Sequence, residues 1–347
     1  MIIFGWDGFP QYAARCVGAF VKTTTERVVV IATRPRVPVE GMEALCGCEV
    51  IWVEPEQAFD VGERLGEVPR ILIANGWSIP LFNRLRDCVW ANGGKVFCSC
   101  DNNFIWSFRE IFKAVRFRLF IRGRYDGFFV PGKSGVRLLR FYGVPQEKIF
   151  TGMYAADDSL FGSSVPICER PKRIIYVGQF CERKNVRTLV NAFLSLAPQH
   201  PDWQLDLFGT GPLVAELNRT IEQSNNRTIL VHPFCQPEEL ARHYAASRVF
   251  ILPSREEHWG LVVHEAALSG CVLLTSRQVG AAEDFVSEEN GRLFDAASEK
   301  ELKAALKWAM SLTDAELRWA AEVSCASSRN ASISSFVSSV SRMTMSR

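Results

Sequence analysis

The sequence predicts an α/β protein built from two doubly wound domains, each a parallel sheet with helices on both faces. Short apolar runs alternate with helical patterns along all 347 residues, the runs are continuous, and the series occurs twice. Continuous apolar runs are typical of strands buried on both faces of a parallel sheet, and alternation with helices is typical of doubly wound folds. The length also suits two domains of ordinary size.

The same patterns place the individual elements. In the first half we expect strands at 2–6, 27–32, 49–53, 70–75, 95–99 and 127–130, and helices at 11–21, 80–90, 107–120 and 136–142. In the second half we expect strands at 174–177, 205–208, 228–232, 249–252 and 271–276, and helices at 186–196, 213–224, 238–247 and 299–310.

The boundary between the domains is predicted in Asp157–Arg173, a polar stretch in which two prolines interrupt the pattern. The expected ranges are 1–160 for an N-terminal domain and 161–347 for a C-terminal domain. The Ser-rich stretch 326–347 is a candidate helix that packs back on the first domain.

Composition narrows the class of protein. Hydrophobic residues make up 48% of the chain and charged residues 22%, with a net charge of +2, which indicates a globular protein and argues against bulk nucleic-acid binding. No apolar stretch is long enough to predict a membrane-spanning helix. The eleven cysteines form no C-x-x-C pair, and the N-terminus is typical of a first strand and not of a signal peptide, so we expect reduced thiols in the cytoplasm.

Two carboxylates, Glu257 and Glu265, flank an apolar run that follows Trp259-Gly260 and ends at Gly270. The run predicts a short buried helix with Gly270 as its C-terminal stop. At the helical rise the two carboxylates would lie roughly 9–12 Å apart along the axis, which suits a long, hydroxyl-rich ligand held at two points. A sugar joined to a ribose through a diphosphate is such a ligand.

A cationic loop follows the first strand of the second half. Gly178 permits a tight turn, and Arg183 and Lys184 put positive charge just before a helix N-terminus, whose free N–H groups favour an anion. An ordinary solvated turn is the alternative. The next strand ends in Gly209–Pro212, which lacks the third glycine and the acidic residue of a dinucleotide fingerprint, so NAD binding is not predicted. The chain has no D-x-D motif, and we expect no metal requirement.

Polar residues also follow strands of the first half. Asp101 comes after the strand at 95–99, and Gly8 and Phe9 come after the first strand, at the sheet edge where ligands of parallel sheets bind. They are candidates for contact with a substrate, either the donor or the acceptor of a transferred group. The alternative is that these residues only form turns. All five His residues lie at position 200 or beyond, so the first domain supplies no His base.

The stretch 108–124 is basic and rich in aromatic residues. Such a helix can lie on an anionic membrane surface, or it can be an ordinary helix whose arginines face water. A separate alternative function comes from Gly127–Ser134, which matches G-x-x-x-x-G-K-[ST]. We disfavour a phosphate loop around Lys133, because Phe128–Val130 should be the strand itself and Pro131 lacks the N–H of a phosphate cradle.

Taken in order, these motifs resemble the second domain of the retaining GT-B glycosyltransferases, specifically family 4 (glycosyl transferases group 1). The matches are Gly178 and Lys184 with G-R-L-x-x-x-K, Gly209–Pro212 with G-x-G-P, Pro253–Ala266 with P-S-x-x-E-x-F-G and E-x7-E, and Gly280, Glu283 and Asn290-Gly291 with the downstream G-x-x-E and N-G elements. The resemblance is strong over about 170–310 and mostly topological before 160.

The resemblance implies a GT-B fold, in which two Rossmann-like domains face each other across a cleft. It implies that Lys184 binds the donor diphosphate, that Glu265 holds the ribose and that Glu257 contacts the hydroxyls of the donor sugar. The backbone near Phe234 and Cys235 would face the base. Gln179 replaces the family's usual Arg, and Arg183 is the candidate substitute.

The predicted site residues fall into three sets. The catalytic candidates are Glu257, Lys184 and Asp101; the N-domain loop is Gly8 and Phe9; and the donor-binding set is Gly178, Arg183, Lys184, Gly209, Phe234, Cys235, Glu257, Trp259, Gly260, Leu261 and Glu265.

The predicted function is retaining, metal-independent transfer of a sugar from a UDP-, GDP- or ADP-sugar to an acceptor hydroxyl, without a cofactor. Surface polysaccharide or lipid-linked oligosaccharide synthesis is the expected setting. The protein would be cytoplasmic, with peripheral contact at the inner face of the membrane through 108–124. A nucleotide-sugar epimerase or hydrolase of the same fold and a phosphate-loop NTPase or kinase stay open as alternatives.

Overall fold

The computed structural model describes residues 1–35, 40–54 and 64–345, and the chain divides into two compact units. The first unit joins Met1–Ala155 to the C-terminal stretch that begins at Ala331, and the second unit is Ala156–Asn330. The sequence predicts this boundary at 160/161 and assigns 161–347, apart from a returning helix, to the second domain. Positions 346–347 lie outside the described residues.

The first unit is a parallel sheet with the strand order β3-β2-β1-β4-β5-β6-β7 among the described residues. Its strands are β1 (Ile2–Trp6), β2 (Val28–Ala32), β3 (Glu49–Trp52), β4 (Ile71–Asn75), β5 (Lys95–Ser99), β6 (Gly127–Val130) and β7 (Ile149–Thr151). Its helices are α1 (Gln11–Val21), α2 (Met42–Cys46), α3 (Pro80–Ala91), α4 (Phe108–Phe120), α5 (Lys133–Phe141) and, from the end of the chain, α13 (Ile333–Met345). Strands β1, β2 and β6 are buried throughout, as continuous apolar runs predict.

The C-terminal helix α13 packs on the first sheet. Phe336 is fully buried, and its ring centroid lies 6.1 Å from that of Phe4 and 5.5 Å from that of Phe129. The Ser339 hydroxyl donates to the backbone oxygen of Thr151 over 2.7 Å. This buried stripe of a Ser-rich helix explains why the stretch from 331 onward belongs to the first unit.

The second unit repeats the plan, with the strand order β10-β9-β8-β11-β12-β13. Its strands are β8 (Arg173–Val177), β9 (Gln204–Phe208), β10 (Ile229–His232), β11 (Val249–Leu252), β12 (Val272–Ser276) and β13 (Gly291–Phe294). Its helices are α6 (Val186–Leu196), α7 (Val214–Gln223), α8 (Pro237–Ala245), α9 (Leu261–Leu268), α10 (Ala282–Phe285), α11 (Glu299–Met310) and α12 (Asp314–Ser328). In both units the chain order runs outward from a central strand in two directions, so the predicted pair of doubly wound sheets is confirmed.

The sequence patterns did not predict every element. They missed strands β7 and β13, which lie at sheet edges, and helices α2, α10 and α12. Helix α12 begins with a capping box, in which the Thr313 hydroxyl accepts from the N–H of Glu316 and the Glu316 carboxylate accepts from the N–H of Thr313. That T-x-x-E signal is visible in the sequence.

The phosphate-loop alternative does not fit the first unit. Strand β6 occupies Gly127–Val130 and α5 begins at Lys133, so only Pro131 and Gly132 separate them. A phosphate cradle needs several free backbone N–H groups between strand and helix, and proline has none. The Ser134 side chain is buried and bonds to Asn103.

Two loops of the second unit interlock through glycines. The N–H of Phe180 donates to the backbone oxygen of Thr210 over 2.9 Å. Gly209 has a φ of +147°, and a Cβ there would lie 2.0 Å from the backbone oxygen of Gly178. A Cβ on Gly211, with φ +155°, would lie 2.5 Å from the backbone oxygen of Phe180. The loop after β8 is therefore held by the loop after β9, and side chains are excluded from their contact.

Replacing Gly209 by alanine should destabilise the second unit by more than about 2 kcal/mol, because the new methyl group meets backbone that cannot move aside and φ is unfavourable for an L-residue. Denaturant unfolding would measure the change. Gly162→Ala in the same unit is the matched control, since nothing lies within 4 Å of a Cβ at that position. Equal stability of the two variants would contradict the interlock.

Candidate functional site

The candidate site lies where the strand order of the second sheet reverses. Strands β8 and β11 are neighbours there, although 71 residues lie between Val177, the last residue of β8, and Val249, the first residue of β11. Parallel doubly wound sheets bind ligands at the carboxyl ends of the strands beside this reversal. The loop after β8 contains Gly178–Lys184, and the loop after β11 contains Pro253–Gly260.

A buried ion pair joins the two loops. The Lys184 ammonium contacts the Glu257 carboxylate, and both side chains are only 11% exposed. The Ser254 hydroxyl donates to the same carboxylate over 3.3 Å. Arg183 lies at the rim: its guanidinium is 3.8 Å from Glu257 and donates to the backbone oxygen of Glu256 over 2.9 Å. Arg183, Lys184 and Glu257 together carry one net positive charge, which suits an anionic ligand.

Asn185, which the sequence analysis did not select, fixes the geometry of this pair. It is 4% exposed and adopts a left-handed backbone with φ 58°. Its side-chain amide donates to the backbone oxygens of Pro253 and Ala296 over 3.2 and 3.0 Å. Its amide oxygen accepts from Arg255 over 3.1 Å. Asn is among the few residues that tolerate a left-handed backbone. An Asn directly before a predicted helix was therefore the sequence signal that could have identified this residue.

The backbone of Glu257 is held from the other side. Glu257 forms an isolated parallel bridge with Val279, and its backbone oxygen accepts from the N–H of Gly280 over 3.3 Å. A Cβ on Gly280 would lie 2.1 Å from the backbone oxygen of His258. The glycine matched by the downstream motif is therefore required by close backbone approach.

Helix α9 carries the remaining motif residues. It starts at Leu261 after Gly260, whose φ of +90° is left-handed, so Glu265 lies about one turn inside the helix. The Trp259 side chain is buried and packs edge-on against Phe285 at 5.9 Å. Ligand contact from position 259 would therefore come from its backbone.

Glu265 is a partly exposed residue whose carboxyl group accepts a hydrogen bond from the Tyr244 hydroxyl over 3.1 Å. Burial of the carboxyl raises the pKa of Glu265 to about 7, against the smaller opposing effect of the Tyr244 bond. Below neutral pH the folded chain therefore holds a proton at this position. Burial also raises the pKa of Tyr244 well above its ordinary value, so the hydroxyl remains a donor.

The loop after β10 contains Phe234 and Cys235, both partly exposed. Cys235, Glu239 and His243 have possible metal-ligand atoms within 4.8 Å of one another, and Glu239 and His243 are one turn apart on α8. Among the described residues, these three form a group of possible metal ligands close enough together to hold a cation. Burial lowers the pKa of His243 and raises that of Cys235.

His264, inside the matched signature, has a structural role. Its Nδ1 accepts from the N–H of Ala156 over 3.1 Å, its Nε2 lies 2.9 Å from the backbone oxygen of Ser328, and its ring stacks on Phe285. Burial lowers the pKa of His264 to about 4. The imidazole is therefore neutral and fully bonded near neutral pH, and it cannot serve as a general base.

The first-unit candidates lie at the carboxyl edge of the first sheet. Asp101 is partly buried and accepts from the Tyr154 hydroxyl over 3.2 Å. Gly8 has a φ of +68°, and its N–H donates to the Thr33 hydroxyl over 2.7 Å. The Phe9 side chain is fully buried and packs in the core, so ligand contact at this position would come from its backbone.

The raised pKa of Glu265 predicts a specific pH dependence of stability. Because the folded pKa of about 7 exceeds the ordinary value of 4.5, the unfolded chain ionises first as pH rises. The free energy of unfolding of the wild type, relative to Glu265→Gln, should fall by about 1–3 kcal/mol between pH 4.5 and 7 and then level off. Denaturant unfolding across this range would measure it, and a flat or rising difference would contradict the assignment.

Comparison with known proteins finds a family model that matches most of the second unit. Residues 163–323 match the family model described as glycosyl transferases group 1. The 2-deoxystreptamine N-acetyl-D-glucosaminyltransferase of Niallia circulans is 25% identical over 138 residues, which is 38% of this chain and 36% of that protein. The D-inositol 3-phosphate glycosyltransferase of Corynebacterium kroppenstedtii is 29% identical over 142 residues, 39% of this chain and 32% of that protein. The chain thus spans about a third of the length of these relatives.

Solved structures show the same fold over the full chain. The crystal structure of Anabaena Alr3699/HepE in complex with UDP and glucose covers 99% of both chains, with a TM-score of 0.76 and 14% identity. The structure of WaaG, a glycosyltransferase involved in lipopolysaccharide biosynthesis, covers 100% of both chains, with a TM-score of 0.66 and 16% identity. The chain therefore shares the GT-B fold of these structures, and its residues 163–323 match the model of the glycosyl transferases group 1 family.

Proposed function

We propose that this chain is a retaining glycosyltransferase of family 4, which moves a sugar from a nucleoside diphosphate to an acceptor hydroxyl. The observation that carries the proposal is the buried Lys184–Glu257 pair at the strand-order reversal of a unit that matches glycosyl transferases group 1. The likeness to Alr3699/HepE, whose structure contains UDP and glucose, supports a nucleotide-sugar donor.

The charges of the site suit a diphosphate. Lys184 and Arg183 approach a single carboxylate, so a diphosphate can replace Glu257 as the partner of the two cations. The Glu257 carboxylate, once released, can accept hydrogen bonds from sugar hydroxyls. Glu265 is one turn into α9, within reach of the ribose in this proposal, and the free N–H groups at the start of α9 add to the positive potential.

The proposed reaction needs no histidine base. The bond between the anomeric carbon and the departing diphosphate oxygen breaks, and the acceptor oxygen bonds to that carbon on the same face. The acceptor proton passes to the departing diphosphate oxygen. Lys184 and Arg183 stabilise the negative charge that develops there, which is the kind of electrostatic stabilisation that lowers barriers most. No step calls for a metal ion.

The charge pair should be tested with isosteric changes. Removing one partner leaves the other as a buried, unpaired charge, which costs about 3–5 kcal/mol, so single alanine variants confuse folding with function. The double variant Lys184→Met/Glu257→Gln removes both charges and should stay folded. We expect it to lose transferase turnover by two or more orders of magnitude.

The matched control is Lys303→Met/Glu299→Gln, which removes an exposed ion pair from α11. A thermal-shift screen with UDP-, GDP- and ADP-sugars would first identify the donor, because a ligand of the folded state raises the melting temperature. Wild-type turnover in the Lys184/Glu257 double variant would refute the proposed site. Consumption of donor at the full rate without an acceptor would favour an epimerase or hydrolase instead.

We also propose that the protein contacts a membrane surface peripherally through α4. None of the helices in the described part of the chain has the length and apolar character needed to cross a bilayer. On α4, however, Phe108, Phe112 and Leu119 are 80%, 77% and 69% exposed, on the side opposite the buried Glu110 and Phe117. An exposed apolar stripe flanked by cations is typical of helices that lie in the lipid interface.

Replacing Phe112 and Leu119 by serine should weaken binding to anionic lipid vesicles about tenfold or more, because each apolar side chain contributes about 1.5–3 kcal/mol on burial. Vesicle co-sedimentation would measure the change. Leu230→Ser/Leu293→Ser is the control, since these leucines of the second unit are also exposed, at 41% and 40%. Equal vesicle binding by the wild type and both variants would rule out membrane contact through α4.

A further inference from the structure

Three side chains of different ligand chemistry lie together where the loop after β10 meets α8. Cys235 belongs to the loop, and Glu239 and His243 lie four residues apart on α8, so they are on the same side of the helix. The sulfur, a carboxylate oxygen and a ring nitrogen all lie within 4.8 Å of one another. Gln236, directly before the helix, has an extended backbone with φ −67° and ψ 154°, and this bend in the chain brings Cys235 beside the first turn of α8.

The chemistry of the three ligands selects the ion. Zn²⁺ binds thiolate, imidazole and carboxylate groups at about 2.0–2.3 Å in tetrahedral geometry, in which the ligand atoms are roughly 3.3–3.8 Å apart. Small side-chain rotations bring the three groups to that spacing. Mg²⁺ and Ca²⁺ take oxygen ligands instead, so a sulfur and a nitrogen in a set of three disfavour them. A thiolate and a carboxylate also balance the two positive charges of Zn²⁺.

The imidazole of His243 is held in place by packing. Its ring centroid lies 4.4 Å from that of Phe208, and Phe208 also stacks on His232 at 4.3 Å. His232 is engaged elsewhere, because its Nε2 lies 3.3 Å from the carboxylate of Asp206, a residue that is 1% exposed. The orientation of the His243 ring is therefore restricted before an ion arrives, which lowers the entropy cost of binding one.

We infer that Cys235, Glu239 and His243 bind one Zn²⁺ ion, with a water molecule as the fourth ligand, and that the ion fastens the loop after β10 to α8. On binding, the Cys235 thiol gives its proton to solvent and a Zn–S bond forms, while a ring nitrogen and a carboxylate oxygen complete the protein ligands. The fastened loop also contains Phe234, whose backbone is expected to face the base of the donor. The inference goes beyond the proposed function and does not depend on it, because no step of the proposed transfer uses a metal ion.

Zinc binding can be measured on the full-length, reduced protein after a chelator has removed bound metal and has itself been dialysed away. Competition with a chromogenic zinc chelator should find a site with a Kd of about 1 μM or lower, and excess Mg²⁺ should not displace the ion. Cys235→Ser/His243→Gln removes two of the three protein ligands and should weaken binding at this site about a hundredfold or more.

Two further measurements identify the ligands one at a time. Co²⁺ bound to a thiolate has sulfur-to-cobalt charge-transfer absorption in the near ultraviolet, which should be present in the wild type and lost in Cys235→Ser. Glu239→Gln changes an exposed side chain, so it should leave the fold intact and weaken zinc binding about tenfold.

The matched control is Cys168→Ser/His200→Gln, which should bind Zn²⁺ like the wild type. Both side chains are half-buried in the same unit, and among the described residues neither belongs to a group of three possible metal ligands. Equal zinc binding by the wild type and Cys235→Ser/His243→Gln, equal losses in the two double variants, a wild type that binds no Zn²⁺, or a cobalt spectrum without thiolate absorption would each overturn the inference. Any of these results leaves the proposed function standing, because the donor-induced rise in melting temperature is measured without added metal.

Discussion

The buried contact between Lys184 and Glu257 is the constraint on which the functional account depends. The two residues are 73 positions apart and meet because β8 and β11 are neighbours at the reversal of strand order. Removing two charges from water is costly, and replacement by packed apolar side chains would often be as stable. The pair is therefore better explained by what it can bind than by what it adds to stability. Asn185 on one side and the Gly280 contact on the other fix where the two charges meet.

In the second unit Arg183 and Lys184 share one carboxylate, and a diphosphate suits this arrangement of charges. The histidine in the matched signature takes no part in acid–base chemistry, because burial and two hydrogen bonds keep His264 neutral. Catalysis in this account is electrostatic.

Much of this could be predicted from sequence, for physical reasons. Strands buried on both faces, such as β1 and β11, carry an unbroken apolar signal, so both sheets were predictable. The edge strand β13 contains Arg292 and has only partial burial, and its signal is correspondingly weak. Lys184 and Glu257 were predicted as parts of one site through motif resemblance, but not as partners of each other, because a contact across 73 positions leaves no local trace.

The most direct test of the central claim is a crystal structure of the full chain with its nucleotide-sugar donor bound. The account predicts that the Lys184 ammonium leaves the Glu257 carboxylate for a phosphate oxygen, with Glu257 turned to the hydroxyls of the sugar. A donor bound elsewhere, with the Lys184–Glu257 contact intact, would contradict it.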